Sequence, residues 1–382
     1  MKFQADMKAF RAALAAAGKV IPTKTPIPVT LCVKIATNDN RIVLTGTNLD
    51  MTFEMEMGAD VLTEGATCID FAPLSAFCAA AKTDSVMIEA DNRRATIKAG
   101  KSRIALSTRD PLDFPSYIPA DGDLVTVDPA TFVRAVRFCV AAASDQETQY
   151  YLNGVAMMEQ GGRVQAWGTD GHALHHADLT SIAAIGGGGI LPTEAALFLI
   201  GAAEKSDSLS VMVGGHGWHM RTGPIRAWGK VVDGTFPDAQ RVVDSFTGWS
   251  EFLTAPQAEI AQALTIAACG ADTSAAKTKS LVVSSQLGGP VTFRGARGAA
   301  GIVHAGRAET ETKATADTGF AVSSVLVQSA LSAMASPVVV LSHTGRDGTS
   351  SLRIVPAQAN ANLAMQSIIM GIRAGAEDLA DV

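Results

Sequence analysis

What most limits the folds open to this chain is an internal period of roughly 120 residues. Three segments open alike: MKFQADMKAFRAALAAAG, LVTVDPATFVRAVRFCVAAASD and SEFLTAPQAEIAQALTIAACGAD. Each reads as a short strand, a helix start and an alanine-rich helix. Half a period later the idea recurs in CIDFAPLSAFCAAAK, GILPTEAALFLIGAAEK and GFAVSSVLVQSALSAMA, each a strand, a capping or proline signal and a helix. Two β-rich runs follow each time: SVMIEADNRRATIKAG, SLSVMVGGHGWHMRTG and PVVVLSHTGRDGTSSLRIVP. The unit of strand, helix and several strands is performed twice per domain and three times per chain. It predicts three α+β domains near 1–120, 123–245 and 250–373, joined by short Pro/Gly/Asp linkers and followed by an acidic tail, 374–382.

Composition agrees with folded cores. At 382 residues and 47% hydrophobic content there is ample apolar surface to bury. No apolar run is long enough to span a membrane, because Ile190–Ala203 is broken by Thr193 and Glu194, so a soluble cytoplasmic protein is expected. The five cysteines (Cys32, Cys68, Cys78, Cys139 and Cys269) sit in apolar contexts without a C-x-x-C pair. They read as buried reduced thiols rather than a zinc ribbon or a disulfide framework.

The formal net charge is −6, so any contact with nucleic acid must come from local basic faces. Two helices offer one. In the first, Met7, Phe10 and Leu14 share a side, with Lys8 and Lys19 opposite and Arg11 at the border. In the third, Phe132, Val133, Val136, Cys139 and Val140 form the apolar face, and Arg134 and Arg137 point away from it. The helix Gln257–Cys269 has no basic residue, and its nearest positive charges are Lys277 and Lys279.

Catalytic constellations are missing. The glycine run Gly186–Gly189 lacks the Lys-[Ser/Thr] that a phosphate-binding loop requires. His172, His175 and His176 form the best metal-like cluster, and Asp170 stands beside them. In a strand, however, 172 and 176 share a face that 175 does not, and no further carboxylate or cysteine nearby completes a tetrahedral set. No cofactor or metal is expected. A metal-dependent hydrolase using these histidines is kept as a rival reading, which bound-metal analysis would test.

The middle of the chain carries a resemblance. Two strand-like runs, Tyr150–Met158 and Arg163–Gly168, flank a turn at Gly161-Gly162, and Thr169-Asp170-Gly171-His172 closes the second. YYLNG followed by TDGHAL resembles the middle domain of the bacterial DNA polymerase III beta subunit, the beta sliding clamp. The likeness runs to about Arg373 and is strongest in the first two domains. It is carried also by the initial MKF, Pro26-Ile27-Pro28, LTGTNLD at 44–50, GKSRIALS at 100–107, Asp113-Phe114-Pro115 and DGTFPD at 233–238. Each is weak alone, but together their order and spacing are specific.

The resemblance implies a non-enzymatic DNA polymerase processivity factor. Two chains would close head to tail into a ring, with helices lining the inside and antiparallel sheets outside, around double-stranded DNA bound without sequence preference. Positions matching those that touch DNA are Lys24, Gln146, Gln149, Tyr150, Tyr151 and Arg241, besides the helix cations Lys8, Arg11, Arg134 and Arg137. Tyr150 and Tyr151 alternate if they lie on a strand, which would send one of them to the core. A pocket for short peptides from the DNA polymerase III catalytic subunit, the clamp loader ATPase and other replication and repair proteins would be built from Leu152, Thr169, Gly171, His172, Leu174, Pro237, Val242, Ser351, Ile368, Met370 and Ile372, with Arg373 at its rim.

The chain departs from the family pattern in several places. Lys24 and Gln149 stand where arginine is usual, which thins the DNA-facing charge. Gly371 stands where proline is usual, so a looser pocket floor is expected. The added tail AGAEDLADV is expected to lie near the pocket and compete weakly with partner peptides. At the ring joint, Lys101–Ser107 would supply one edge, and Ala267–Gly270 with the strand near Ser280 the other. The small Cys269 and Gly270 predict a weaker or differently built dimer. A clamp-like module that docks peptides without closing a ring is the third reading, and a main replicative clamp is not distinguished from a plasmid- or phage-type copy.

Overall fold

The computed structural model describes residues 1–117, 119, 122–204, 206–215, 217–269, 280–295, 307–346, 349–358 and 360–372. Lys277, Lys279, Gly270, Arg373 and the tail 374–382 lie outside the described residues.

Each repeat supplies the expected helices: α1 (Met7–Ala17) and α2 (Phe71–Ala80), α3 (Pro129–Val140) and α4 (Thr193–Ala203), then, after a short additional α5 (Ala239–Ser245), α6 (Gln257–Ala268) and α7 (Ser324–Met334). Local chemistry sets their starts. The Asp6 carboxylate accepts the Ala9 N–H at 2.7 Å, Asp238 does the same for Arg241 at 3.1 Å, and Pro129 opens α3 where a missing N–H costs nothing. Met7, Phe10, Ala13, Leu14 and Ala17 are the buried positions of α1, the i, i+3, i+4, i+7 pattern of a one-faced helix. In α3 Phe132, Val133, Val136 and Cys139 are buried as expected, and Ala135 and Phe138 join them.

The helices and antiparallel sheets divide into two compact units, and the middle repeat is shared between them. Unit 1 comprises 1–129 and 185–231, and unit 2 comprises 130–184 and 232–382. In unit 1 a thirteen-stranded sheet brings Ile225–Lys230 beside Met51–Gly58, with Ile225 opposite Met55 and Gly229 opposite Met51. Its strand Ser102–Arg109 pairs along its length with Arg94–Ala99 and meets Ala66–Asp70 only at Thr108 and Arg109. Among the described strands, positions 102–107 therefore have a neighbour on one side.

Unit 2 holds a sheet in the order Gly154–Gln160, Arg163–Thr169, Ala173–Leu179, Ala364–Ile369, Thr349–Pro356, Val338–Arg346 and Ser250–Pro256. A second sheet of four strands runs Arg307–Lys313, Pro290–Gly295, Ser280–Ser285 and Thr318–Ser323. The hairpin at Gly161-Gly162 forms as expected, with Met157 opposite Ala166 and both glycines at positive φ.

Two sequence expectations are corrected. Glu147–Leu152 is a 3-10 helix, so the first hairpin strand begins at Gly154 and the two tyrosines do not alternate across a strand. The cause is a polar lead-in whose N–H groups close short turns, as when Gln149 N–H meets Gln146 C=O at 3.1 Å. Cys32, Cys68, Cys78 and Cys139 are buried free thiols, but Cys269 is exposed just beyond α6. Burial pushes the Cys32 thiol up to about 12, with Asp70 at 3.2 Å adding to the effect.

Candidate partner pocket and nucleic-acid interface

Residues directly opposite each other on neighbouring antiparallel strands point to the same face. In unit 2 that rule builds a row: Thr169 lies opposite Leu174, Leu174 opposite Ile368, and Ile368 opposite Arg353. Leu174 and Ile368 are buried, Thr169 and Arg353 half-buried. Three strands that are distant in sequence thus lay an apolar floor with polar ends. Beside it, Ser351 and Met370 approach to 4.0 Å between oxygen and sulfur, and Met370 is 44% exposed.

The turn before Leu174 is fixed by its own side chains. Asp170 Oδ1 accepts the N–H groups of His172 and Ala173 at 2.8 and 2.9 Å, and Thr169 Oγ1 donates to the Ala173 carbonyl at 2.7 Å. Gly171 takes φ +86°, a conformation that L side chains rarely adopt. His172 is thereby held on the surface, and its carbonyl accepts the Met370 N–H at 2.8 Å. The Ile372 N–H is in turn given to the Ala321 carbonyl at 2.9 Å.

Gly371, between those two bonds, does not loosen the floor. A Cβ there would stand 1.6 Å from the Ser350 carbonyl oxygen, so glycine is required by close packing of two backbones. Of the other pocket candidates, Leu152 is buried at the end of the 3-10 helix, Ile372 is half-buried, and Pro237 and Val242 are exposed just before and on α5. The loop leading into α5 reaches the tyrosines, since a Cβ on Gly234 would meet Tyr151 Cβ at 3.0 Å.

The nucleic-acid candidates differ in exposure, and two of the arginines bond to helix ends. Arg11 donates through Nε to the Cys78 carbonyl at 2.7 Å and through a second nitrogen to the Ala81 carbonyl, which satisfies the C-terminus of α2. Arg134 donates to the Met334 carbonyl at 3.1 Å, at the end of α7. Lys8, Lys24, Arg137, Gln146 and Arg241 are exposed. Gln149 is half-buried, Tyr150 is 53% exposed, and Tyr151 is half-buried with its ring edge-on to that of Tyr150 at 5.8 Å.

The family model for the DNA polymerase III beta subunit, N-terminal domain, matches residues 1–118, and that for the central domain of the same subunit matches residues 126–238, together more than half of the chain. The chain belongs to the DNA polymerase III beta-subunit family.

It is 27% identical to the beta sliding clamp of Pseudomonas aeruginosa over 253 residues, 64% of this chain and 68% of that one. To the Escherichia coli K12 beta sliding clamp it is 27% identical over 227 residues, 57% and 60% of the two chains. The fold likeness extends further. A crystal structure of the Pseudomonas aeruginosa sliding clamp superposes with TM-score 0.86 at 20% identity over 98% of this chain and 99% of the other. The Bacillus subtilis sliding clamp gives TM-score 0.87 at 16% identity over 98% and 100%. These likenesses do not favour a hydrolase or a module that only docks peptides.

Two of the three clustered histidines, His175 and His176, are core, and His172 is exposed. His175 and His176 are consecutive on one strand and leave by opposite faces. His175 stacks on Phe138 with centroids 4.4 Å apart and bonds through Nδ1 to the Phe138 carbonyl at 2.7 Å. His176 stacks on Trp167 at 3.8 Å, with Gln366 at 3.3 Å. Burial pushes both imidazoles down to about 4, aided at His176 by Arg163. Among the described residues no three His, Cys, Asp or Glu side chains gather closely enough for a metal ion.

Nor, among the described residues, is any helix long and apolar enough to cross a membrane. The pocket row contains one residue that sequence reading missed, Arg353. Its signal was the alternation Ser351, Arg353 in a half-buried strand, and only the register with Ile368 gives that alternation meaning.

Proposed function

We propose that two copies of this chain close head to tail around duplex DNA and tether the replicative polymerase through a peptide seated beside Leu174, Ile368 and Met370. Family membership over the first two repeats carries this reading, and the fold likeness over nearly the whole chain supports it. In this reading the chain is organised as clamp domains 1–120, 123–245 and 250–373. It supplies no chemistry of its own, and an ATP-driven loader opens the ring. Partners are the DNA polymerase III catalytic subunit, the clamp loader and other replication and repair proteins in the cytoplasm.

Contact with DNA falls to Lys8, Lys24, Arg137 and Arg241, with Gln146, Gln149 and the tyrosines beside them. Arg11 and Arg134 act by holding helix ends. Contacts to phosphates leave every register nearly equal in energy, which suits sliding, and few cations make the attraction weak. Weak attraction is tolerable when topology does the holding. A polymerase that lets go of the primer end then meets it again at high effective concentration.

The test is retention on circular against linearised DNA after loading, with solution mass measured alongside. Retention on circles, run-off from linear ends and a two-chain mass are expected. Equal loss from both substrates with a one-chain mass would refute the topological tether.

A further inference from the structure

The face that carries the pocket floor continues past Ile368. The row extends from Thr169, Leu174 and Ile368 to Arg353, Ser342 and Glu251 on successive strands. Arg353 is the neighbour of Ile368, two residues along its strand from Ser351, and so stands where the apolar floor ends.

Its surroundings are unusual for a cation. The guanidinium lies 4.9 Å from the Trp249 ring centroid, and Trp249 is itself held by Phe246 at 5.7 Å. No described residue forms a hydrogen bond or ion pair with it, and its Nε is sealed from solvent without a partner. Glu251, the carboxylate that acts on it, takes the Thr254 hydroxyl at 2.8 Å instead. Burial lowers the Arg353 pKa and Glu251 opposes that. A half-buried guanidinium without an acceptor is costly, and its terminal nitrogens, which are not sealed as Nε is, stand beside the binding floor where a ligand can supply one.

We propose that a peptide bound on this floor is held at a second point, where a carboxylate next to its apolar anchor pairs with Arg353. The inference rests on the pocket reading above. Trp249 covers one face of the guanidinium and fixes its plane, leaving its edge for an in-plane acceptor. A carboxylate matches that planar fork with two parallel bonds and offsets the half-buried charge, whereas a neutral amide offers one acceptor and no charge. Partners of this clamp therefore carry Asp, Glu or a chain terminus beside the apolar residue that enters the pocket.

The probe is a set of fluorescein-labelled hexapeptides with a Leu-Phe anchor, Asp placed in turn at each remaining position, against the same set with Asn. At low salt one Asp peptide is expected to bind the full chain about tenfold more tightly than its Asn twin. Arg353→Gln should reduce that preference to within about twofold, and Arg353→Lys, which keeps the charge but not the fork, should leave an intermediate value. Melting curves check that both variants fold. Equal binding of Asp and Asn peptides, or a preference that survives Arg353→Gln, overturns the inference, and loss of all binding in Met370→Asp shows that the pocket reading still stands. Peptides that bind Met370→Asp as well as the wild type, or fail to bind either, overturn both.

Discussion

Lowering the pH from 7 to 5 should weaken unit 2 through its two buried histidines, and His176 is the one that can be isolated. Its imidazole is pushed from 6.5 down to about 4, mainly by burial and secondarily by Arg163. The unfolded chain therefore takes the proton first. Stability contributed by the neutral ring is complete above the unfolded value, falls as pH drops below 6.5, and stops falling below about 4. At pH 5 the unfolded group is almost fully protonated and the folded one barely so, which corresponds to about 2 kcal/mol lost between pH 7 and 5. His175, also pushed down to about 4, contributes a similar amount. His176→Phe keeps an aromatic ring against Trp167 and removes the titration. Urea unfolding of wild type and variant, followed by near-ultraviolet circular dichroism at both pH values, gives the difference directly. The variant should lose about 2 kcal/mol less than wild type over this interval. Equal losses would show that the neutral, buried state assigned to His176 is wrong.

Other substitutions separate packing from surface roles. Gly371→Ala should destabilise by about 1–3 kcal/mol and weaken peptide binding, because the added carbon meets the Ser350 carbonyl; urea midpoints and the peptide titration check it. Arg11→Met should cost about 1–2 kcal/mol in unfolding experiments by stripping donors from the Cys78 carbonyl of α2 and the Ala81 carbonyl that follows it. Lys24→Ala should change stability by no more than about 0.5 kcal/mol yet reduce the salt dependence of DNA association. Tyr151→Ala should lower the melting temperature more than Tyr150→Ala does, since Tyr151 is half-buried and Tyr150 is 53% exposed.

Much of the fold was legible because the repeat is written in local chemistry. Asp6 and Pro129 mark helix starts, and the α1 face can be read at helical spacing, whereas the short α5 capped by Asp238 was not anticipated. The hairpin at Gly161-Gly162 was legible for the same reason, since the turn residues and the flanking apolar runs agree. Its N-terminal boundary was not. Tyr150 and Tyr151 have strand propensity, but the turns closed by Gln146 and Tyr150 carbonyls override it.

Sites were legible only where the chain is continuous. The Thr169–His172 turn could be read as a polar closure, whereas Arg353 becomes meaningful only through the pairing of Ala364–Ile369 with both Ala173–Leu179 and Thr349–Pro356. Two engaged arginines also escaped sequence reading. A helical wheel reports which side Arg11 and Arg134 leave from, not that the ends of α2 and α7 await them. Gly371 is the clearest case, because a residue read as freedom turned out to be an obligation imposed by a neighbouring backbone.

The sharing of the middle repeat between two units has a consequence for synthesis. The strand Met51–Gly58 leaves the ribosome early, yet one of its two neighbours is Ile225–Lys230. At about 5–20 residues per second, that edge waits on the order of ten seconds or more for its partner. During that time a row of backbone donors and acceptors is open to any other strand, including one from a second nascent copy. Slowing translation between these two strands should therefore trap more aggregate than slowing it after residue 231, even though the finished sequence is the same.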